Sequence, residues 1–390
     1  MSRWWRRTIA LWVKENASVG ILLFMILLAG RPQVIVVTLP PRHNVQTLNP
    51  KVGVHTRLTD EVEAWKIQKS LAMIREMGSP WIVEYFPWAY METTPGQYHW
   101  EHADLVIDHA ENQGLQVIAR LGMVPRWAQL PPEGAGEGTA HAVTDTYLHR
   151  ARYEDFARFV GIFSERYRGR VDHIIIWNEP NLSFEWGFRT VDPVAYTELL
   201  SVVYPVAHAA NPDIVVLGGA LAPTLEPEGS PAGLDDLLYL RGMYDAGAGA
   251  YFDALAAHAY GLAFAPAMEP AADLINFRRV ELLREIMIEY GDQEKLIYIT
   301  EAGWNDHPRW IWSVRPAQRI EFTLNAYRWA AEHWPWCPVV AIWMFRTPQT
   351  LYNYQDYYAF VTPEFQERPI YTRVREYTGN APPTVSAEAE

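Results

Sequence analysis

The chain has 390 residues, 49% of them apolar and 20% charged, a composition that supports a large buried core and excludes a mainly disordered or fibrous protein. Its 33 Lys and Arg stand against 46 Asp and Glu, and the net charge of −13 argues against general nucleic-acid binding, which needs a surplus of positive charge. The single cysteine, Cys337, can form neither an internal disulfide nor a thiolate metal cluster, and in its apolar surroundings it reads as a buried structural thiol.

In chain order, Arg3, Arg6, Arg7 and Lys14 precede an uncharged run over residues 16–30, followed by Arg31 and Pro32. Basic residues before an apolar run mark a membrane-targeting segment, so residues 1–32 are expected to be a signal peptide or a membrane anchor. The charge order puts the rest of the chain outside the cytoplasm, secreted or membrane-anchored, with membrane contact through this segment if it stays uncleaved. The other reading of the run is a buried helix of the fold. Residues 33–50, with Pro40 and Pro41, read as a linker, and residues 378–390, rich in Pro, Ala, Thr and Glu, as a flexible tail.

Residues 51–377 alternate short β-branched or aromatic runs with longer amphipathic ones. Strands are expected at 52–57, 81–86, 116–121, 171–177, 214–217, 252–258, 296–300 and 339–345. Helices are expected at 61–77, 101–113, 153–167, 193–210, 272–290 and 316–333. Asp60 is placed to cap the first helix, Gly114 to end the second, and Asn211 with Pro212 to stop the fourth. The order predicts an α/β protein, a (β/α)8 TIM barrel enlarged by loops. A doubly wound open sheet is the alternative, but no expected strand is followed by a phosphate-binding glycine fingerprint.

In such a barrel, chemistry stands at the C-terminal strand ends. The fourth expected strand runs into Trp177-Asn178-Glu179-Pro180-Asn181, and the seventh into Thr300-Glu301-Ala302-Gly303-Trp304. A carboxyl group just past a buried strand lies where loss of water disfavours charge, which suits a proton donor. Two glutamates facing each other across a barrel mouth are what glycoside hydrolysis requires. The reading of either one as a salt-bridged or capping carboxylate stays open for each alone. His258 and Tyr260, two apart on the sixth strand, share one side. Aromatic residues make up 13% of the chain, and flat apolar rings suit the C–H faces of sugars.

These two motifs resemble those of the clan A glycoside hydrolases, most closely family 39-type and family 5-type members, over about residues 52–377. Trp88 with Pro95-Gly96-Gln97-Tyr98-His99-Trp100 and the run Pro125-Arg126-Trp127-Ala128 support the fold side of the resemblance. The resemblance implies a retaining enzyme acting on carbohydrate, with Glu179 as acid/base, Glu301 as nucleophile and Asn178 bonding the hydroxyl beside the reacting carbon. It also implies that Tyr260 donates to the nucleophile and that Trp343 forms an aromatic platform under the sugar. Trp88 and Trp304 are further expected substrate contacts, and Trp127, Trp186, Trp310 and Trp312 can line subsites.

No metal or organic cofactor is expected: His99 and His102 lack a third ligand, and no Gly-x-Ser-x-Gly elbow is present. Glu84 and Arg120 read as polar residues of the barrel interior, and the glycine-rich stretch 130–144 as a mobile rim. The sequence after Glu179, Pro180-Asn181-Leu182-Ser183-Phe184-Glu185-Trp186, selects no particular sugar. A carbohydrate-binding surface protein without turnover and a transglycosylase on the same barrel are the competing readings.

Overall fold

The computed structural model describes residues 42–131 and 144–380. Eight parallel strands close on themselves in chain order: β1 Val52–His55, β2 Trp81–Pro87, β3 Gln116–Gly122, β4 His173–Ile176, β5 Val215–Leu221, β6 Ala254–Tyr260, β7 Ile297–Gly303 and β8 Val340–Ile342. The helices are α1 Ala64–Glu76, α2 Trp88–Met91, α3 Glu101–Asn112, α4 Tyr153–Arg166, α5 Pro193–Ala210, α6 Asp236–Asp245, α7 Val280–Glu289, α8 Pro316–His333 and α9 Pro369–Tyr377. This is the expected (β/α)8 barrel.

The strands are apolar on both faces because both are covered. Alternate residues such as Val83, Ile118, Ile175, Leu217, Ala256, Tyr298 and Ala341 fill the barrel, and their neighbours, among them Ile82, Val117, Ile176, Leu255 and Ile299, pack under the helices. Cys337 is fully buried, and its thiol donates to the Val339 carbonyl.

Local signals explain most boundaries. The Asp192 carboxylate accepts from the backbone N–H groups of Val194 and Ala195 to start α5, and Gly114, at φ +73°, turns the chain out of α3. Asp60 does not cap α1. Arg57 Nε donates to it at 2.9 Å, and the capping position falls to Glu63, whose side chain makes no cap bond. The helix expected over 272–290 starts at Val280, preceded by a 3-10 turn, because Arg279 Nη1 takes the carbonyls of Ala271, Ala272 and Leu274 that a helix would have used. Helices α2, α6 and α9 were not expected.

Residues 42–50, expected as part of a linker, run against the barrel: Asn49 is buried and its amide donates to the Tyr327 carbonyl and the Tyr377 hydroxyl. At the other end Thr378 is buried, and its hydroxyl donates to the Met77 carbonyl. The targeting segment, the rest of the linker, the rim over 132–143 and the tail beyond Asn380 lie outside the described residues. Among the described residues, no helix is long and apolar enough to cross a membrane.

At the N-terminal end of the barrel, the His173 ring packs on Trp81 and Tyr298, with its Nε2 3.0 Å from the Tyr298 hydroxyl. Burial pushes its pKa down to about 4. Below pH 6.5 the unfolded chain therefore gains a proton that the folded protein refuses, so this histidine costs stability as pH falls from 6.5 towards 4. His173→Gln removes that cost. Urea unfolding at pH 7.5, 6, 5 and 4.5 should show the stability difference moving in the variant's favour by about 1.4 kcal/mol per pH unit at most. A difference that does not change with pH would refute the assignment.

Candidate active site

At the C-terminal mouth of the barrel, loops from every strand surround a cavity of about 630 Å³. The inward alternation carries His55 on β1, Tyr85 on β2, Arg120 on β3 and Tyr260 on β6 to its walls, and Trp343 follows β8. Two departures from regular backbone bring in the glutamates. Between β6 and β7 the register slips, so that Ala257 pairs with Ile299 but His258 pairs with Glu301. With Tyr298 facing inward, strict alternation would turn Glu301 outward; the extra residue of this bulge, Thr300, aims it into the cavity. After β4, Trp177 and Glu179 both adopt positive φ, at 73° and 41°. Such conformations are uncommon for side chains with a Cβ and are held here by surrounding bonds. Trp177 turns outward against Phe156 and Trp186, and the Glu179 N–H donates to the Ala220 carbonyl at 3.1 Å, leaving Asn178 and Glu179 facing the cavity.

One carboxylate oxygen each of Glu179 and Glu301 and a ring nitrogen of His258 lie within 4.8 Å of one another. His258 Nδ1 is 2.7 Å from Glu179 Oε1 and 3.8 Å from Glu301 Oε2. The Tyr260 hydroxyl donates to Glu301 Oε2 at 2.7 Å, and Arg120 Nη1 donates to Glu301 Oε1 at 2.7 Å and to Asn178 Oδ1 at 2.6 Å. The His55 Nε2 is 3.6 Å from Glu301 Oε1.

Burial opposes the charge of Glu301, but His258, Arg120 and His55 with the Tyr260 hydroxyl outweigh it and hold the carboxyl down at about 2. Glu301 is therefore an ionised carboxylate kept dry, the state a nucleophile needs. Burial also opposes the His258 cation, and the charges of Glu301 and Glu179 overcome it, raising that pKa. Glu179, His258 and Glu301 also form a triad of possible metal-ligating groups, among the described residues, and Arg120 already donates to one oxygen of Glu301.

Of the expected site residues, Glu179, Glu301, Asn178, Tyr260 and Trp343 meet at the cavity, and His258 lies behind them, bonded to Glu179. Trp88 and Trp304 do not reach it. Trp88 is fully buried, its Nε1 donating to Glu92 Oε2, and it packs against Trp127 and Phe159. Trp304, at 1% exposure, donates to the Phe264 carbonyl and packs on Phe277 and Phe322. Both rings fold back under their loops, where burying a tryptophan contributes more than leaving it at a wet rim. Of the other loop tryptophans, Trp310 lines the cavity, stacked on Tyr354, whereas Trp186 is fully buried. Glu84 is a structural residue that accepts from the Thr56 hydroxyl and the N–H groups of Leu58, Thr59 and Tyr85.

Sequence reading missed His55, Tyr85, Glu185 and Tyr358 as cavity residues. For His55 and Tyr85 a signal existed, since each continues the inward alternation of its strand. Burial, then the neighbouring charge of Glu179, pushes the Glu185 carboxyl up to about 7.

No family model matches the chain, and no curated protein does. Among solved structures, it is similar to a family 39 glycoside hydrolase from the gut symbiont Bacteroides cellulosilyticus WH2, at 21% identity and a TM-score of 0.67, over 87% of this chain and 65% of that one. It is also similar to the GH39 enzyme from Xanthomonas axonopodis pv. citri, at 16% identity and a TM-score of 0.56, over 88% of this chain and 71% of that one. A third is a GH5_18 protein from Streptomyces cattleya, solved in complex with GlcNAc, at 14% identity and a TM-score of 0.59, over 85% and 80%. The chain spans 65% of the length of the first of these. At these identities the likeness is one of fold.

Proposed function

We propose that this barrel is a retaining glycoside hydrolase acting on β-linked sugars by double displacement. The observation that carries the reading is the pair Glu179 and Glu301 at the cavity floor, with oxygens within 4.8 Å and unlike partners. Oxygens this close are compatible with the roughly 5–5.5 Å between carboxyl groups that direct attack by one carboxylate uses, and fit less well with the about 6.5–9.5 Å of inverting enzymes. The fold neighbours, described as glycoside hydrolases of families 39 and 5, are consistent with it.

In this reading, Glu301 attacks the anomeric carbon while Glu179 gives its proton to the departing oxygen. Water then enters, loses a proton to Glu179 and attacks the same carbon, and Glu301 leaves as a carboxylate. Two inversions at one carbon give net retention. Arg120 and Tyr260 hold Glu301 in one orientation and stabilise the charge that returns to it. His258, bonded to Glu179 Oε1, fixes the carboxyl that shuttles the proton. Trp343 and Tyr358, edge to face at 5.2 Å, give the sugar an apolar wall.

The test is to follow hydrolysis of a panel of nitrophenyl glycosides by proton NMR. The first product formed should be the β-anomer from β-linked substrates. An α-anomer as first product would refute double displacement, and binding of sugars without turnover of any substrate would favour a carbohydrate-binding role.

A further inference from the structure

The cavity holds a third carboxyl group that the double displacement does not use. Glu185 lies in the turn after Glu179, where Trp177 Nε1 donates to its carbonyl at 2.7 Å. Its neighbours are locked: Trp186 is fully buried, and Gly187, at φ +78°, sits so close to Tyr147 that a Cβ would fall 2.6 Å from that side chain. The Glu185 side chain is thereby held at the cavity wall.

The other charges of that wall are matched. Arg57 pairs with Asp60, Arg120 with Glu301, and Glu179 with His258, and Glu84 is filled by four donors. Five acidic side chains, Asp60, Glu84, Glu179, Glu185 and Glu301, stand against two basic ones, Arg57 and Arg120. Among the described residues, no ion pair reaches Glu185. Asn178 and Arg120 are near enough to favour its ionised form, Arg120 as a charge at longer range.

The position of Glu185 relative to the chemistry follows from a shared donor. One nitrogen, Arg120 Nη1, bonds both Glu301 Oε1 and Asn178 Oδ1, so Asn178 lies beside the group that meets the reacting carbon, and Glu185 lines the same cavity near Asn178. In the double-displacement reading, a substituent on the next ring carbon would face this side of the cavity. We propose that Glu185 is a specificity residue that receives a protonated amine of the substrate, so that the site takes sugars with a free amino group beside the reacting carbon. This rests on the glycosidase reading above.

An ammonium group supplies the countercharge that Glu185 lacks, through charge-assisted hydrogen bonds. A hydroxyl supplies no charge, and an acetamide removes the ammonium donors and the charge and adds bulk. Burial first, then the neighbouring Glu179, opposes the ionised form of this carboxyl, and a bound cation relieves that cost.

The experiment compares kcat/KM at pH 6.5 for nitrophenyl β-glucosaminide, β-glucoside and N-acetyl-β-glucosaminide, and measures calorimetric binding of glucosamine and N-acetylglucosamine oligomers. The free amine should be preferred by about 10- to 100-fold. Glu185→Gln should erase that ratio, and Glu185→Asp, with thermal melts to verify folding, should restore part of it. Cleavage with no preference for the amine, or a preference that survives Glu185→Gln, overturns the inference and leaves the glycosidase reading intact. If no glycoside is cleaved, that reading falls, and calorimetry decides the inference alone. Glucosamine oligomers that bind and are weakened by Glu185→Gln uphold it, and equal or absent binding overturns it.

Discussion

Glu301→Ala is expected to lose turnover by on the order of 10⁴-fold or more on every glycoside the protein cleaves, whatever the leaving group. The reason is positional. In the folded protein this carboxylate is ionised, buried and held by Arg120 Nη1 and the Tyr260 hydroxyl at 2.7 Å each, so no neighbouring group can take over its attack. Without it no covalent intermediate forms, and a better leaving group does not repair the defect. Added azide can enter only through the vacated face and gives a product of inverted configuration. Glu301→Gln keeps the side-chain shape but only one of the two oxygens that accept from Tyr260 and Arg120, so some loss of melting temperature is expected; a cooperative melt with activity lost separates chemistry from folding. Near-normal turnover in either variant, or a retained azide product, would refute the role.

Glu179→Ala should behave differently. On substrates with poor leaving groups the expected loss is about 10²- to 10⁴-fold, the usual contribution of a positioned acid or base. On an activated aryl glycoside the first step needs little proton donation, so a burst of phenol is expected, followed by a stalled covalent intermediate on Glu301 that mass spectrometry of the intact chain detects. Azide needs no deprotonation and should restore turnover, with a product of retained configuration. The same azide experiment thus separates the two glutamates by stereochemistry. An inverted azide product from Glu179→Ala would exchange their roles. The substitution also removes the partner of His258 Nδ1, so the variant's melt should accompany the kinetics.

The regular part of the molecule was legible in the chain because burial periodicity is local. Each strand carries its own apolar run and each long helix its own stripe, and the eight strands stand where the alternation put them, with α5 and α8 matching residue for residue. The two glutamate motifs were legible for the same reason, since each directly ends an apolar strand. The errors cluster where a distant partner decides. Asp60 looked like a cap, but Arg57 claims it; the helix expected from residue 272 starts late, because the Arg279 side chain takes the carbonyls before it. Trp88 opens α2 after β2 and Trp304 follows β7, both near the mouth, and nothing in their own sequence shows that Phe159, Phe277 and Phe322 would draw them into the core instead.

The site itself needed the tertiary structure most. Period-two alternation from Tyr298 turns Glu301 away from the barrel axis, and only the slipped register between β6 and β7 aims it inward. Likewise the left-handed backbone at Trp177 and Glu179 is maintained by contacts with Phe156, Trp186 and Ala220. The charge of Glu301 and the uncompensated carboxyl of Glu185 are sums over groups from several different strands and loops. The barrel and the position of the two carboxylates at strand ends follow from the chain alone, because each depends on residues adjacent in it. Which side chains face the cavity, and in which protonation state, was decided only when β1, β3, β4, β6 and β7 closed around one space, since register, desolvation and electrostatic coupling depend on distances between segments far apart in sequence.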